Sequence, residues 1–485
     1  MSDQHHQPPS PTPSEFRQHG HALVDWIADY FERLETYPVL ARVKPGDIIR
    51  ALPDQAPEDA EPFDAVMADF ERILVPGLTQ WNHPGFLAYF PITGSAPGAL
   101  AEFLSAALNQ QAMLWRTSPA ATELEAVALG WLRRLVGLPD TFEGVIYDTA
   151  SIGTLHALIA AREAAVSDVR AKGLAGRDDV PRIRVYCSDQ THSSIDKAVI
   201  TTGLGHEALR KIPTDDRFRL RVDALDEAIR TDRADGVLPI AVVATVGTTS
   251  TTSVDPVGEI AALCERERLW LHVDAAYGGV AAMLPSHAHV LAGAERADSV
   301  IVNPHKWLFT PVDLSAFYCR RMDVISAAIS LTPDYLRTRE AGDVRNLMDT
   351  GIQLGRRFRS LKLWMILRWF GARAIRARIA EHIRLAQRLA SWIDAHEDFE
   401  RLAPVPLSVV CFRWNPSRFQ LPEGELDRAN EELIDLVNSS GDVFLSHTRL
   451  RGRLALRIAI GHWETAERHV ARAWELLTSH ALHLR

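Results

Sequence analysis

Cysteine is scarce in this chain. Four are spread over 485 residues, and Cys187, Cys264, Cys319 and Cys411 stand far apart. No pair has the spacing of a zinc site or the density of a disulfide framework. No metal is therefore expected, and a reducing, cytoplasmic setting is. Long apolar runs are also missing: none reaches the roughly 18 residues needed to cross a membrane. Basic charge falls short of acidic, with 53 Lys and Arg against 62 Asp and Glu and a net charge of -9. That balance argues against nucleic acid as a partner, because binding phosphates calls for a basic face. There is no GxGxxG, which disfavours a dinucleotide site. No internal repeat is visible. The stretch 1–14 is rich in Pro, Gln and His and has no apolar core, so it reads as a disordered lead-in and not as a signal peptide.

What remains is an ordinary globular composition, 47% hydrophobic and 24% charged, in a chain long enough for two or three domains. From Glu15 to Leu74 the apolar residues Phe16, Leu23, Trp26, Ile27, Tyr30, Phe31 and Leu34 recur at helical spacing. Phe63 to Leu74 reads as a further amphipathic helix. These helices have no strand to cover in their own segment, so they are expected to pack on the main domain or on a second subunit. Trp81 to Pro91 is a dense aromatic loop, either core packing or the wall of a ligand pocket. Helices are expected over Ala96–Leu108 and over Ala120–Leu135, the latter with Pro119 in its first turn.

From Glu143 onwards, strands and helices alternate. Strands are expected at 144–147, 182–187, 240–246, 269–273, 300–302 and 314–318. This pattern implies a mostly parallel α/β sheet with helices on both faces, and in such sheets ligands bind beyond the carboxyl ends of the strands. Long helices follow over 361–370 and 374–396. A smaller α+β segment closes the chain, with strands at 408–414, 443–448 and 454–460 and helices at 426–439 and 463–482. The expected division is a lead-in over 1–14, a helical segment over 15–95, a large α/β domain over 96–372 and a small domain over 373–485.

Two strand ends carry chemistry. The run Ser299-Val300-Ile301-Val302 stops at Asn303-Pro304, and Lys306 follows in the turn. A lysine held there can lose its proton, because burial disfavours the ammonium, and the neutral amine attacks aldehydes. A solvated surface lysine is the competing reading. The second run, Leu269 to Val273, ends in Asp274 and the small residues Ala275, Ala276, Gly278 and Gly279. An amine and a carboxylate at nearby strand ends are what pyridoxal phosphate requires. Asp274 alone reads equally as a helix-capping acid. Thr149-Ala150-Ser151-Ile152-Gly153 opens a helix after a strand, which suits a phosphate, or is simply a cap. His192 follows another strand, where an imidazole could lie on a pyridine ring and deliver a proton; a structural histidine is the other reading.

Taken together, Asn303-Pro304-His305-Lys306-Trp307, His272-Val273-Asp274-Ala275-Ala276-Tyr277 and the run from Ser188 to Ser194 resemble the group II pyridoxal-phosphate decarboxylases. Within these they are most similar to the aromatic L-amino acid decarboxylases. The runs 118–125 and 354–362 match as well, and the similarity extends from about Phe16 to the end. The resemblance implies the aspartate-aminotransferase-type fold (fold type I), with a mostly parallel seven-stranded sheet. It implies pyridoxal 5'-phosphate as cofactor and a homodimer whose N-terminal segments embrace. Lys306 matches the lysine that carries the cofactor, Asp274 the partner of its ring nitrogen, and His192 the histidine stacked on the ring. Ala150, Ser151 and Asn303 match phosphate contacts, and Thr249 and His305 further cofactor contacts. Tyr335 matches a proton donor on a loop that closes over the site, and relatives that release an aldehyde have Phe there.

The same resemblance places the substrate pocket at Trp81, Phe90, Ile92, Gln111, Met113, His192 and Gly355. Trp81 and Phe90 agree with the aromatic decarboxylases. Ile92 stands where they carry Thr, and Gln111 and Met113 where they carry Ile and Phe. The readings left are decarboxylation of an aromatic amino acid, the same chemistry on a non-aromatic amino acid, oxidative deamination to an aldehyde, and a non-catalytic binding protein.

Overall fold

The computed structural model describes residues 11–331, 340 and 343–484. Its centre is a seven-stranded sheet in the order β1-β7-β6-β5-β4-β2-β3. The strands are β1 (Glu143–Tyr147), β2 (Ile183–Ser188), β3 (Leu209–Ile212), β4 (Leu238–Thr245), β5 (Trp270–Asp274), β6 (Ser299–Val302) and β7 (Ser315–Cys319). Pairing is parallel from β3 through β2, β4 and β5 to β6, while β7 runs antiparallel to both β6 and β1. Because β7 reverses twice, β1 points the same way as β6. The carboxyl ends of β1, β2, β4, β5 and β6 therefore share one edge.

Side chains alternate across the sheet with the two-residue period of a strand. On β6, Ile301 joins the apolar cluster under the helix Ala150–Ala165, while Val300 and Val302 join the cluster on the opposite face. Tyr186 on β2 faces one side, and Val185 and Cys187 the other. Burial on both faces explains why these strands read as continuous apolar runs in the sequence.

A second, antiparallel sheet follows, in the order β10-β11-β9-β8. Its strands are β8 (Phe399–Arg401), β9 (Val409–Trp414), β10 (Ser446–Leu450) and β11 (Arg453–Ala459). The helix Ser360–Asp394 leads into it and is broken at Gly371, whose φ of 71° lies in the left-handed region that glycine adopts most readily. That break matches the two helices expected on either side of it.

Several elements differ from expectation. Strands β3 and β8 were not anticipated; with four and three residues they carry too little pattern to show. β10 begins three residues later than expected. The last helix starts at Glu467 and not at Trp463, because the Trp463 ring leaves the helix to stack on Phe370 at 4.0 Å. The first helix, Pro13–Glu32, begins inside the stretch expected to be disordered: Thr12 caps it and exchanges bonds with Glu15 in a capping box. Among the described residues, no helix is long and apolar enough to cross a membrane.

Candidate active site

Every residue expected to hold the cofactor lies along the shared carboxyl edge. Thr149, Ala150 and Ser151 follow β1, His192 follows β2, and Thr249 follows β4. Asp274 is the last residue of β5, and Asn303, His305 and Lys306 follow β6. Together with Phe90 they line one cavity of about 200 Å³. Tyr335 lies outside the described residues.

Lys306 sits in the short helix Pro304–Trp307, which Pro304 opens as β6 stops. Burial lowers its proton affinity, the nearby Asp274 carboxylate opposes that, and the Arg457 guanidinium adds to it. Its Nζ lies 5.2 Å from the centre of the Phe90 ring. Asp274 is buried, and one carboxylate oxygen accepts the Ala276 N–H at 3.1 Å. Burial, followed by the charge on Lys306, also depresses His192, with Asp274 opposing. The Nδ1 of His192 accepts the Ser194 N–H at 3.1 Å, so the proton of the neutral ring sits on Nε2.

The helix Ala150–Ala165 starts at this cavity, and no side chain caps it. Thr149 turns its hydroxyl and its N–H to Asp148. The helix end thus offers backbone donors and its positive dipole to an anion. Asn303 is buried, and its amide lies 3.4 Å from His305 Nε2. His305 Nδ1 accepts the Leu314 N–H at 2.9 Å, and burial drives the ring's proton affinity down to about 4, so the proton of the neutral ring is on Nε2. With the amide nitrogen facing that proton, Asn303 Oδ1 is left buried and without a partner. The opposite amide orientation gives the His305 Nε2–H an acceptor and leaves the Asn303 amide N–H groups as donors at the cavity that Asn303 lines. The donor set, the low-affinity lysine and the buried carboxylate all fit pyridoxal phosphate.

The other substrate residues do not line this cavity. Trp81 packs on Phe86 at 4.3 Å and keeps 38% of its surface exposed. Gln111 is exposed, and its Oε1 accepts the Arg356 N–H at 2.6 Å. A Cβ on Gly355 would stand 3.4 Å from Gln111 Nε2, so those two are neighbours. Met113 packs beside Leu114 and Met348, and Ile92 is half-buried.

Among the residues missed in the sequence, two meet at the Phe90 ring. Tyr277 stacks on Phe90 at 3.9 Å. Arg457, buried on β11, holds its guanidinium 4.8 Å from the centre of the Phe90 ring and donates to the carbonyls of Thr249 at 3.0 Å, Ser250 at 2.9 Å and Tyr89. Its signal was present: one arginine inside the apolar run Leu454 to Ile460 is costly unless paired.

A lysine, a carboxylate and a phosphate cradle at the ends of parallel strands define a fold type I pyridoxal-phosphate enzyme. The pyridoxal-dependent decarboxylase conserved domain matches residues 45–415, and the chain belongs to that family. Pyridoxal 5'-phosphate is its cofactor, and amino acid decarboxylation its class of reaction. The chain is 40% identical over 480 residues to phenylacetaldehyde synthase of Arabidopsis thaliana, covering 97% of this chain and 96% of that one. It is 39% identical over 477 residues to tryptophan decarboxylase 2 of Oryza sativa subsp. japonica, covering 96% and 94%. The crystal structure of Oryza sativa TDC with PLP and tryptamine is similar at a TM-score of 0.95 and 36% identity, covering 99% of this chain and all of that one.

Proposed function

We propose that this enzyme decarboxylates an aromatic L-amino acid to its amine, as a cytoplasmic homodimer whose subunits share the substrate pocket. The observation that carries this is the aromatic Phe90 wall beside Lys306, in the cavity that also holds Asp274 and His192. Relatives named for tryptophan, tyrosine and phenylacetaldehyde chemistry support the aromatic substrate. The position of Trp81, Gln111, Met113 and Gly355 outside the cavity supports a pocket completed by a second subunit. Four buried free thiols suit a reducing compartment. The division at residue 372, next to the helix break at Gly371, belongs to the same reading.

When bound, the cofactor supplies a protonated ring that takes up the electron pair left as the carboxylate departs. Lys306 holds it through an amine whose proton burial has loosened. Asp274 keeps the proton on the ring nitrogen. Ala150, Ser151 and Asn303 fix the phosphate, and Thr249 and His305 support it. His192 presents Nε2–H to the cavity, and Tyr335 is assigned the proton that completes the amine.

A mixture of the common amino acids with dopa and 5-hydroxytryptophan tests the substrate, read by mass spectrometry. Tryptamine, tyramine, phenethylamine or a hydroxylated form should appear first. A non-aromatic amine as leading product would make Ile92, Gln111 and Met113 a remade pocket. Lys306→Ala should lose the covalent cofactor and all turnover, and wild-type-like activity would refute the assignment. Tyr335→Phe should divert product to aldehyde and ammonia, and an unchanged amine yield would remove Tyr335 as the donor.

A further inference from the structure

Trp307 follows Lys306 directly and is fully buried. Its ring lies on Tyr277, with centroids 4.8 Å apart and planes within 4°. Tyr277 in turn lies on Phe90, at 3.9 Å and 18°. The three rings form a column that meets Lys306 at both ends, through the peptide link at Trp307 and through the 5.2 Å contact at Phe90. Each ring is tied to the C-terminal part of the chain. Arg457 sits over Phe90, Ser408 Oγ lies 2.6 Å from the Tyr277 hydroxyl, and His382 holds Trp307.

The His382 contact is the most constrained of these. Its Nδ1 lies 2.9 Å from Trp307 Nε1, and its Nε2 lies 2.9 Å from the His462 carbonyl oxygen. An indole N–H only donates, so Nδ1 must accept, and Nε2 must carry the hydrogen that goes to His462. Burial pushes the proton affinity of the ring down to about 3, so the imidazole stays neutral and this pattern holds across working pH. Both nitrogens are engaged, and nothing in the proposed chemistry uses them.

We propose that His382 is a positioning residue for Lys306, fixing the plane of Trp307 and through the ring column the place of the lysine amine against Phe90 and Asp274. The proposal rests on the reading that Lys306 holds the cofactor. The physical reason is geometric. If Trp307 loses its acceptor, its ring is free to turn, the stacked Tyr277 and Phe90 follow, and the amine shifts. Displacements of about 1 Å at a reacting group cost on the order of 100-fold in rate.

Two substitutions in the holoenzyme separate positioning from mere packing. His382→Asn keeps an acceptor near the Nδ1 position and loses the donor to His462. His382→Gln keeps a donor near the Nε2 position and leaves the Trp307 N–H without an acceptor. The readouts are the pH midpoint of the visible absorbance of the lysine-bound cofactor without substrate, kcat and KM separately, and the thermal midpoint. His382→Gln should shift the absorbance midpoint and lower kcat by about tenfold or more, with KM changed less than about twofold. His382→Asn should keep the wild-type midpoint and kcat within about threefold, even where both variants lose similar thermal stability. Wild-type midpoint and kcat in His382→Gln overturn the proposal, as does an equal fall in both variants. Should His382→Gln fail to fold, Trp307→Phe removes the same hydrogen bond from the other side, and an unshifted midpoint there overturns it equally. Lys306→Ala keeps the two readings apart. Retention of the covalent cofactor in that variant sinks the site assignment itself. Its loss, beside an unaltered His382→Gln, sinks only the role of His382.

Discussion

Asp255 is buried behind Thr245, a residue of the cavity wall, and its two oxygens accept the Leu220 N–H at 2.7 Å and the Thr245 N–H at 2.8 Å. Burial outweighs those two bonds and raises its proton affinity to about 7, from an ordinary value of 3.8. An acid raised in this way stabilises the fold most below the unfolded value. That contribution fades as pH rises from about 4 through about 7, since the unfolded chain gives up the proton first. Asp255→Asn removes the titration and turns an amide N–H towards a backbone N–H. We therefore expect a lower thermal midpoint at pH 5 and a flatter decline between pH 5 and 7.5 than in wild type. Parallel midpoint curves for the two proteins, from calorimetry, would contradict this. Asp255 and His382 were invisible in the sequence, because each acquires its character from groups distant in the chain, whereas Arg457 showed only as a single charge inside an apolar run. Lys306 and Asp274 were legible because an apolar run stops at each. His192 and the Thr149 helix start stood out less, and their roles, like that of Asn303, came from the resemblance to the decarboxylase family.

Elements were read more surely than their edges. The helices at Ala96 and Ala150 and the strands β5 and β6 fell within a residue of expectation, since their apolar runs are bounded by turn residues or prolines. β3 and β8 were lost because edge strands of three or four residues leave no periodicity. The junction between the helix Ala150–Ala165 and β6 shows how tightly an element is placed for the cofactor. A Cβ on Gly153, in the first turn, would lie 2.1 Å from Ile301 Cδ1 and 3.3 Å from Phe317 Cδ2. Ile301 is fully buried, so it gives way only by disturbing the core. Gly153→Ala should cost about 1–3 kcal/mol, the usual range for overpacking. It should also weaken cofactor retention on dialysis, because the helix end that faces the phosphate is pushed off the sheet. Adding Ile301→Val deletes the clashing methyl and should restore most of both. A Gly153→Ala protein with wild-type stability and cofactor content would show that the helix is not seated by this contact.

The whole molecule leaves one requirement open within a single chain. None of the twenty residues of the helix Pro13–Glu32 is buried, although it has an apolar face. Its contacts include Phe16 on Phe103 at 6.5 Å, His19 on Phe63 at 4.4 Å, Trp26 on Phe70 at 5.2 Å and the Tyr30 hydroxyl, which donates to Gln80 Oε1 at 2.7 Å. A helix of this length is marginal in water without a packed face. The neighbouring helix Ala96–Leu108 presents Phe103 at 42% exposure, Leu104 at 48% and Leu108 at 55%. Fully burying one such side chain contributes about 1.5–3 kcal/mol, so covering several of them would stabilise a permanent pair of subunits. The sequence already showed these helices without a strand to cover. It could not show which surface covers them; in the proposed homodimer that surface would be assembled only when two chains meet. Sedimentation equilibrium should give twice the chain mass at micromolar concentration. Phe103→Asp with Leu108→Asp should shift the protein to the monomer, since two carboxylates in an apolar seam are costly to desolvate. If Gln111, Met113 and Gly355 serve the pocket of the other subunit, that monomer should keep the Lys306 cavity and lose at least about tenfold in kcat/KM, about 1.4 kcal/mol of transition-state binding. A variant that is monomeric by sedimentation yet fully active would place the whole substrate pocket within one chain.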